Sequence, residues 1–191
     1  CLLQKSGIRN PHIGRHLSLH PVAGVYGVTK KPIHAIRGAP MTTVCNEFSN
    51  VNMPYGAKIE IPVACPALAA AANTWGSPTR FGQILDKYSS ILPVIVLQRD
   101  HGEGRVRQNA DGSLHITYKL DARDCASLLK ATQGAVRILA AAAGVNTIGT
   151  MHSRDPGLEL VEEEEESSTN KEKLEEYIES IARNGMRDLE M

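Results

Sequence analysis

The chain has 191 residues, with 21 Lys and Arg against 21 Asp and Glu, and four cysteines. That length supports one domain with a sizeable core, and the balanced charge gives no net field that would draw the chain to nucleic acid or to an anionic membrane. No window reaches the roughly 18 consecutive apolar residues of a spanning helix, and Cys1, Cys45, Cys65 and Cys125 lie scattered without a Cys-x-x-Cys pair, so they read as buried thiols rather than a metal or redox site.

The first residues carry neither an initiator methionine nor a charged-then-apolar targeting segment. Opening on Cys1, Leu2 and Leu3, the sequence is expected to be the interior of a longer polypeptide. His12, His16 and His20 fall four apart, a spacing that on a helix would align three imidazoles. Pro11, Gly14 and Pro21 argue against a continuous helix, and no carboxylate follows at ligand spacing, so no metal set is expected. Residues 22–29, rich in β-branched and aromatic side chains and followed by Lys30-Lys31-Pro32, predict a strand closed by a turn. Residues 42–48 and 58–63 predict two more. In the second, Ile59, Ile61 and Val63 alternate with Lys58, Glu60 and Pro62 to give one apolar face.

Pro66 stands at a plausible first helical position before an alanine-rich stretch to Ala72. A second helix is expected over residues 78–88, with Phe81, Ile84, Leu85 and Tyr88 on one side. Residues 91–97 form an aliphatic run broken only by Pro93, which predicts a strand buried on both faces with its proline near the start. Residues 105–107 and 114–118 flank Ala110-Asp111-Gly112 and predict a hairpin. Asp121 is a good N-cap with Asp124 three positions on, and Cys125, Leu128, Leu129, Thr132, Val136 and Leu139 recur at helical spacing until Gly144. The run Glu162 to Glu166 should be solvated. Thr169 and Glu172 then resemble a capping box before an amphipathic helix carrying Leu174, Tyr177, Ile178 and Ile181, whose apolar face must dock on this domain or on another.

These elements predict an α+β fold, a mainly antiparallel sheet of about five or six strands covered by helices. Recognisable chemistry is sparse. Gly102 and Gly104 follow no strand-to-helix turn and lack a third glycine, so they read as a turn rather than a phosphate loop. Ser6 and Ser18 have no Gly-x-Ser-x-Gly elbow around them.

Several segments taken together resemble the glucose-methanol-choline oxidoreductases. Leu2 to Ile8, with two aliphatic residues before Ser6-Gly7-Ile8, is similar to the tail of that family's second signature. Gly14 to Pro21 is similar to its Gly-x-Asn-Leu-x-Asp-His-Pro segment. Arg9, His16 and Leu19 depart from the common pattern toward the long-chain fatty alcohol oxidase branch. Further matches are Tyr55 to Glu60 with Pro62, Leu97 to Asp100, Gly104 to Val106, and Tyr118 to Asp121.

The resemblance implies a piece of a flavin-dependent oxidase of long-chain primary alcohols, using FAD and oxygen, with a catalytic histidine in a segment that would begin past Met191. By the same resemblance, residues 1–20 are the edge of an FAD-binding domain and 21–150 a substrate-binding domain. Residues 151–168 are an acidic linker, and 169–191 a helix leading to the catalytic segment. No catalytic residue is expected within the chain. Ser6 and Gly7 are the candidate cofactor contacts, His20 and Pro21 the candidate substrate or domain-interface residues, and the expected partners are the alcohol, oxygen and the FAD-binding remainder of the same polypeptide. Ile61, Val63, Ile95 and Leu97, with the alanines at 64–72 and 140–143, are candidates for the pocket wall, although the same side chains would serve an ordinary core. Peroxisome or a membrane surface is compatible with the family. Two alternatives stand beside this reading: the substrate domain of another alcohol oxidase or dehydrogenase of the same superfamily, and a non-enzymatic α+β binding module.

Overall fold

A computed structural model describes residues 2–51, 54–63, 65–67, 70, 77–151, 155, 157–160 and 167–184. Its centre is a six-stranded sheet in which every neighbouring pair is antiparallel. β1 (Val22–Thr29) pairs on one side with β4 (Ile91–Gln98) and on the other with β7 (Val145–Thr150). β3 (Ala57–Pro62) and β2 (Met41–Cys45) extend the β4 side, and the short β8 (Leu158–Glu159) closes the β7 side, giving the order β2-β3-β4-β1-β7-β8. β5 (Arg105–Gln108) and β6 (Leu114–Thr117) form the expected hairpin, but as a separate two-stranded sheet. Its turn is closed by Gly112 N–H donating to the Asn109 carbonyl, with Gly112 at φ 86, where a Cβ would be strained.

The helices are α1 (Leu2–Lys5), α2 (Pro78–Asp86), α3 (Ala122–Ala141) and α4 (Ser167–Asn184). α3 lies across the sheet against β4, β1, β3 and β7. Its buried Leu128, Ala131, Ala135, Val136 and Leu139 meet Val25, Ile59, Val94, Val96 and Ile148 of the sheet. α4 docks on α3, so its apolar face is covered by this domain: Tyr177 and Ile178 are buried, and Arg137 of α3 pairs with Glu175 at 2.8 Å. Among the described residues no helix is long and apolar enough to cross a membrane.

Several boundaries differ from expectation for identifiable reasons. β2 stops at Cys45 because Asn46 to Ser49 turns, with Ser49 N–H donating to the Asn46 carbonyl. α2 ends at Asp86 and Tyr88–Ser90 tightens into a 3₁₀ turn. α4 starts at Ser167, two residues before the Thr169 cap. β7 and β8 were not anticipated. The helix expected from Pro66 to Ala72 and the acidic run 162–166 lie largely outside the described residues. Cys45, Cys65 and Cys125 are thiols, half-buried rather than buried.

The strand at 91–98 is not buried evenly on both faces. Val94, Val96 and Gln98 are buried under α3, while Pro93, Ile95 and Leu97 remain half-buried on the opposite face. Pro93 is tolerated in this inner strand through register. Gln98 N–H bonds toward β1, at the Pro21 carbonyl, and Arg99 N–H toward β3, at the Gly56 carbonyl. Odd-numbered residues therefore aim their nitrogens at β3, and that ladder has ended at Glu60–Ile95 before Pro93 is reached.

Candidate functional site

Two regions stand out: the sheet face away from α3, and a polar cluster at the end of β4. Side chains alternate along each strand, so the partners of the buried set all point the other way. Val22 pairs with Leu97 and Gly24 with Ile95, while Lys58 and Glu60 of β3 flank the same two rows. This face keeps its exposure, 41% at Val22 and 42% at Val44, whereas Val25 and Val96 behind it are fully enclosed. The Met151 side chain lies over Gly24, where a Cβ would come within 2.2 Å of its sulfur. The face thus combines aliphatic side chains with one cation and one carboxylate.

Of the residues named from sequence for such a wall, Ile95 and Leu97 lie on this face. Ile61 alternates with them and packs toward the core, as do Ala140 and Ala142. Val63 follows the end of β3, its N–H donating to the Pro40 carbonyl.

At the end of β4 the chain turns through Arg99 to Gly104, and the motifs quoted above converge there. Tyr118 Oη donates to Asp100 Oδ2 at 2.6 Å, and the same oxygen accepts the Leu19 N–H at 3.1 Å. Partial burial and then the Asp100 carboxylate push the Tyr118 phenol well above the ordinary tyrosine range. Arg99 lies over the Tyr55 ring, 4.9 Å from its centroid, and the His101 ring stacks on Tyr55 at 3.5 Å.

Asp124 anchors this turn. It sits in the first turn of α3 and is fully buried. Its Oδ2 accepts the backbone N–H groups of His101 (2.7 Å) and Gly102 (3.1 Å), and its Oδ1 takes the His101 ring at Nδ1 (2.9 Å) and Gln98 Nε2 (3.4 Å). The carboxylate accepts from three N–H donors and, at its fourth contact, orients the His101 ring with a proton on Nδ1. The arrangement orients an imidazole, and equally it staples a turn to a helix. Asp121 caps α3 as expected by accepting the Arg123 N–H, and the Arg123 guanidinium, followed by that backbone N–H, holds its carboxyl below the usual range.

The candidate residues taken from the amino-terminal segment fall in different environments. Pro21 is buried and its carbonyl accepts the Gln98 N–H at 2.9 Å; His20 beside it is exposed. Ser6 and Gly7 are exposed at the end of α1. The Ser6 hydroxyl is committed to the Leu3 carbonyl at 2.9 Å, and nothing lies within 4 Å of the Cβ position of Gly7. His12 and His16, two of the three histidines spaced four apart, are brought together by a turn rather than a helix, with His12 Nδ1 3.2 Å from His16 Nε2 and His16 Nδ1 2.7 Å from Glu103 Oε2. Sequence reasoning missed Asp124 as a buried anchor; Asp100 and Tyr118 lay within quoted motifs but carried no assigned role.

No protein-family model matches the chain. It is 31% identical over 168 residues to long-chain-alcohol oxidase FAO4A of Arabidopsis thaliana, covering 83% of this chain and 22% of that protein. Against FAO4B of the same organism it is 26% identical over 184 residues, 94% of this chain and 23% of the relative. Against FAO3 it is 27% identical over 190 residues, 95% and 24% respectively. The chain spans 22 to 24% of the length of these relatives. Over most of its own length, then, it is similar to a part of Arabidopsis long-chain-alcohol oxidases.

Proposed function

We propose that the chain is part of a flavin-dependent oxidase of long-chain primary alcohols in the glucose-methanol-choline superfamily, and that residues 21–150 are its substrate-binding unit. The supporting observation is the asymmetry of the sheet. One face is sealed by α3, and the other presents Val22, Ile95 and Leu97 to a space that a second body would enclose. A fully buried methylene contributes about 0.8 kcal/mol. A wall touching one side of an alkyl chain would supply about half of that, the opposing body the rest. Residues 1–20, with Ser6 and Gly7, would border the FAD-binding part, and His20 and Pro21 would lie at the junction. The acidic stretch 151–168 and the helix after it would lead toward the catalytic segment. FAD supplies redox chemistry when bound; no residue here is assigned a step in it.

The test is to extend the reading frame in both directions and express the whole polypeptide. Peroxide formation from dodecanol is expected, with Leu97→Ala lowering kcat/KM by about fivefold, the equivalent of about 1 kcal/mol for a half-buried side chain. The loss should be larger for dodecanol than for hexanol. No peroxide from any primary alcohol would refute the function. An equal loss for both alcohols would refute the assignment of the wall.

A further inference from the structure

We propose that His12 and His16 form a site for a borderline divalent metal ion, Zn²⁺ or Cu²⁺, with Glu103 as the outer partner that orients His16. In a tetrahedral site with metal–nitrogen bonds of about 2.0–2.1 Å, two imidazole nitrogens stand about 3.3 Å apart. His12 Nδ1 and His16 Nε2 share a hydrogen bond of 3.2 Å, so an ion entering between them would replace the shared proton with little movement of the rings. On the far side of the same ring, His16 Nδ1 lies 2.7 Å from Glu103 Oε2. A proton held there by the carboxylate leaves the Nε2 lone pair directed toward His12, which is the carboxylate–histidine–metal arrangement. With its own proton on Nε2, His12 presents the Nδ1 lone pair to the same point.

The backbone places the two rings. His16 takes a left-handed conformation at φ 59, as the exposed His34 does at φ 49, and this turns its ring back toward His12. Its side chain is 51% exposed and that of Glu103 59%, so an ion could reach the pair from solvent. The turn is also well secured. His12 N–H donates to Asn10 Oδ1, the His12 carbonyl accepts Arg15 N–H, Gly14 accepts Val106 N–H, and Leu17 and Gly104 exchange two backbone hydrogen bonds.

Among the described residues no three His, Cys, Asp or Glu side chains converge on one point. Water would therefore complete the coordination and the ion would exchange readily. Imidazole ligands favour Cu²⁺ over Zn²⁺ and select against Mg²⁺ and Ca²⁺.

The experiment is calorimetric titration of the chelator-treated protein with ZnCl₂, repeated with CuCl₂ and MgCl₂. One equivalent of Zn²⁺ should bind, Cu²⁺ more tightly, and Mg²⁺ not at all. His12→Ala and His16→Ala should each weaken Zn²⁺ binding at least tenfold, Glu103→Gln about tenfold, and the exposed His115→Ala should leave it unchanged. Circular dichroism without metal should be the same for all four variants, since the substituted side chains are exposed. Zn²⁺ binding that survives the double His12→Ala, His16→Ala variant, or no binding by the unaltered protein, would overturn the site. A full effect of the histidine substitutions with none from Glu103→Gln would remove Glu103 from it.

Discussion

Replacing Asp124 by asparagine should destabilise the protein almost as severely as replacing it by alanine. The two carboxylate oxygens meet four donors: the His101 and Gly102 backbone amides, the His101 ring and the Gln98 side chain. An asparagine of the same shape keeps one oxygen; with that oxygen on the two amides, its NH₂ group meets His101 Nδ1, which must move its proton to Nε2, and Gln98, whose amide must turn over and release the Arg99 carbonyl, and the charge assistance of all four contacts is lost. Alanine leaves two backbone N–H groups without an acceptor, and the His101 ring loses its partner. Removing one member of a buried, charge-assisted set costs about 3–5 kcal/mol. Solvent cannot rescue the site easily, because Asp124 is wholly enclosed. For a protein of this size each kcal/mol lowers Tm by about 2–4 °C, so a fall of about 6–20 °C is expected. Urea unfolding followed by circular dichroism measures the free energy, and hydrogen exchange at His101 and Gly102 should lose protection in step. An Asp124→Asn variant within about 1 kcal/mol of the parent, with those two amides still protected, would refute this account of the carboxylate.

Tyr177→Phe should cost about 1.5–3 kcal/mol, because the Tyr177 hydroxyl donates to Asp155 Oδ2 at 2.7 Å in a position 6% exposed. Burial, then the Asp155 contact, raises the Tyr177 phenol above its ordinary value. The folded state therefore holds this proton more tightly than the unfolded chain. Its contribution is complete below about pH 10 and declines as pH rises beyond it, so the slope of stability above pH 10 should be shallower in Tyr177→Phe; an unchanged slope in alkaline urea titrations would contradict this. Gly134→Ala should destabilise despite the better helix former, since the new Cβ would come within 2.4 Å of the Phe48 ring. Adding Phe48→Leu should recover part of the loss, and strict additivity in a double-mutant cycle would count against the contact. Arg137→Ala should cost under about 1 kcal/mol, its ion pair being half-exposed, while Ile178→Ala should cost about 2–4 kcal/mol. Equal losses from the two would mean that α4 is not held mainly by its apolar face.

Elements defined by local pattern were readable from the chain: β1 from its β-branched residues, the β5–β6 hairpin from Asp111-Gly112, and α3 from Asp121 and the spacing of Leu128 to Leu139. What failed depended on partners distant in sequence. Asp124 one turn into a helix looks like a solvated carboxylate near a helix N-terminus, and only the amides of residues 101 and 102, some twenty positions earlier, make it an internal anchor. The aliphatic run at 91–97 shows no alternation of its own, so its unequal faces come from α3 covering one side. The histidine spacing predicts convergence only on a helix; a left-handed turn at His16 achieves the same proximity by another route. For the candidate wall, sequence identified aliphatic strands, whereas register decided that Ile95 and Leu97 share a face and Ile61 does not.

The strand order has a consequence for biosynthesis. Of the described strands in this sheet, β1 is made before the others and lies between two of them, yet β4 begins at Ile91 and β7 at Val145, long after Thr29 has left the ribosome. At about 5–20 residues per second, both edges of the founding strand wait several seconds for their neighbours. Nascent Val22–Thr29 thus stays without its sheet neighbours through that interval, and slower translation between residues 30 and 90 would lengthen the period in which it can pair wrongly.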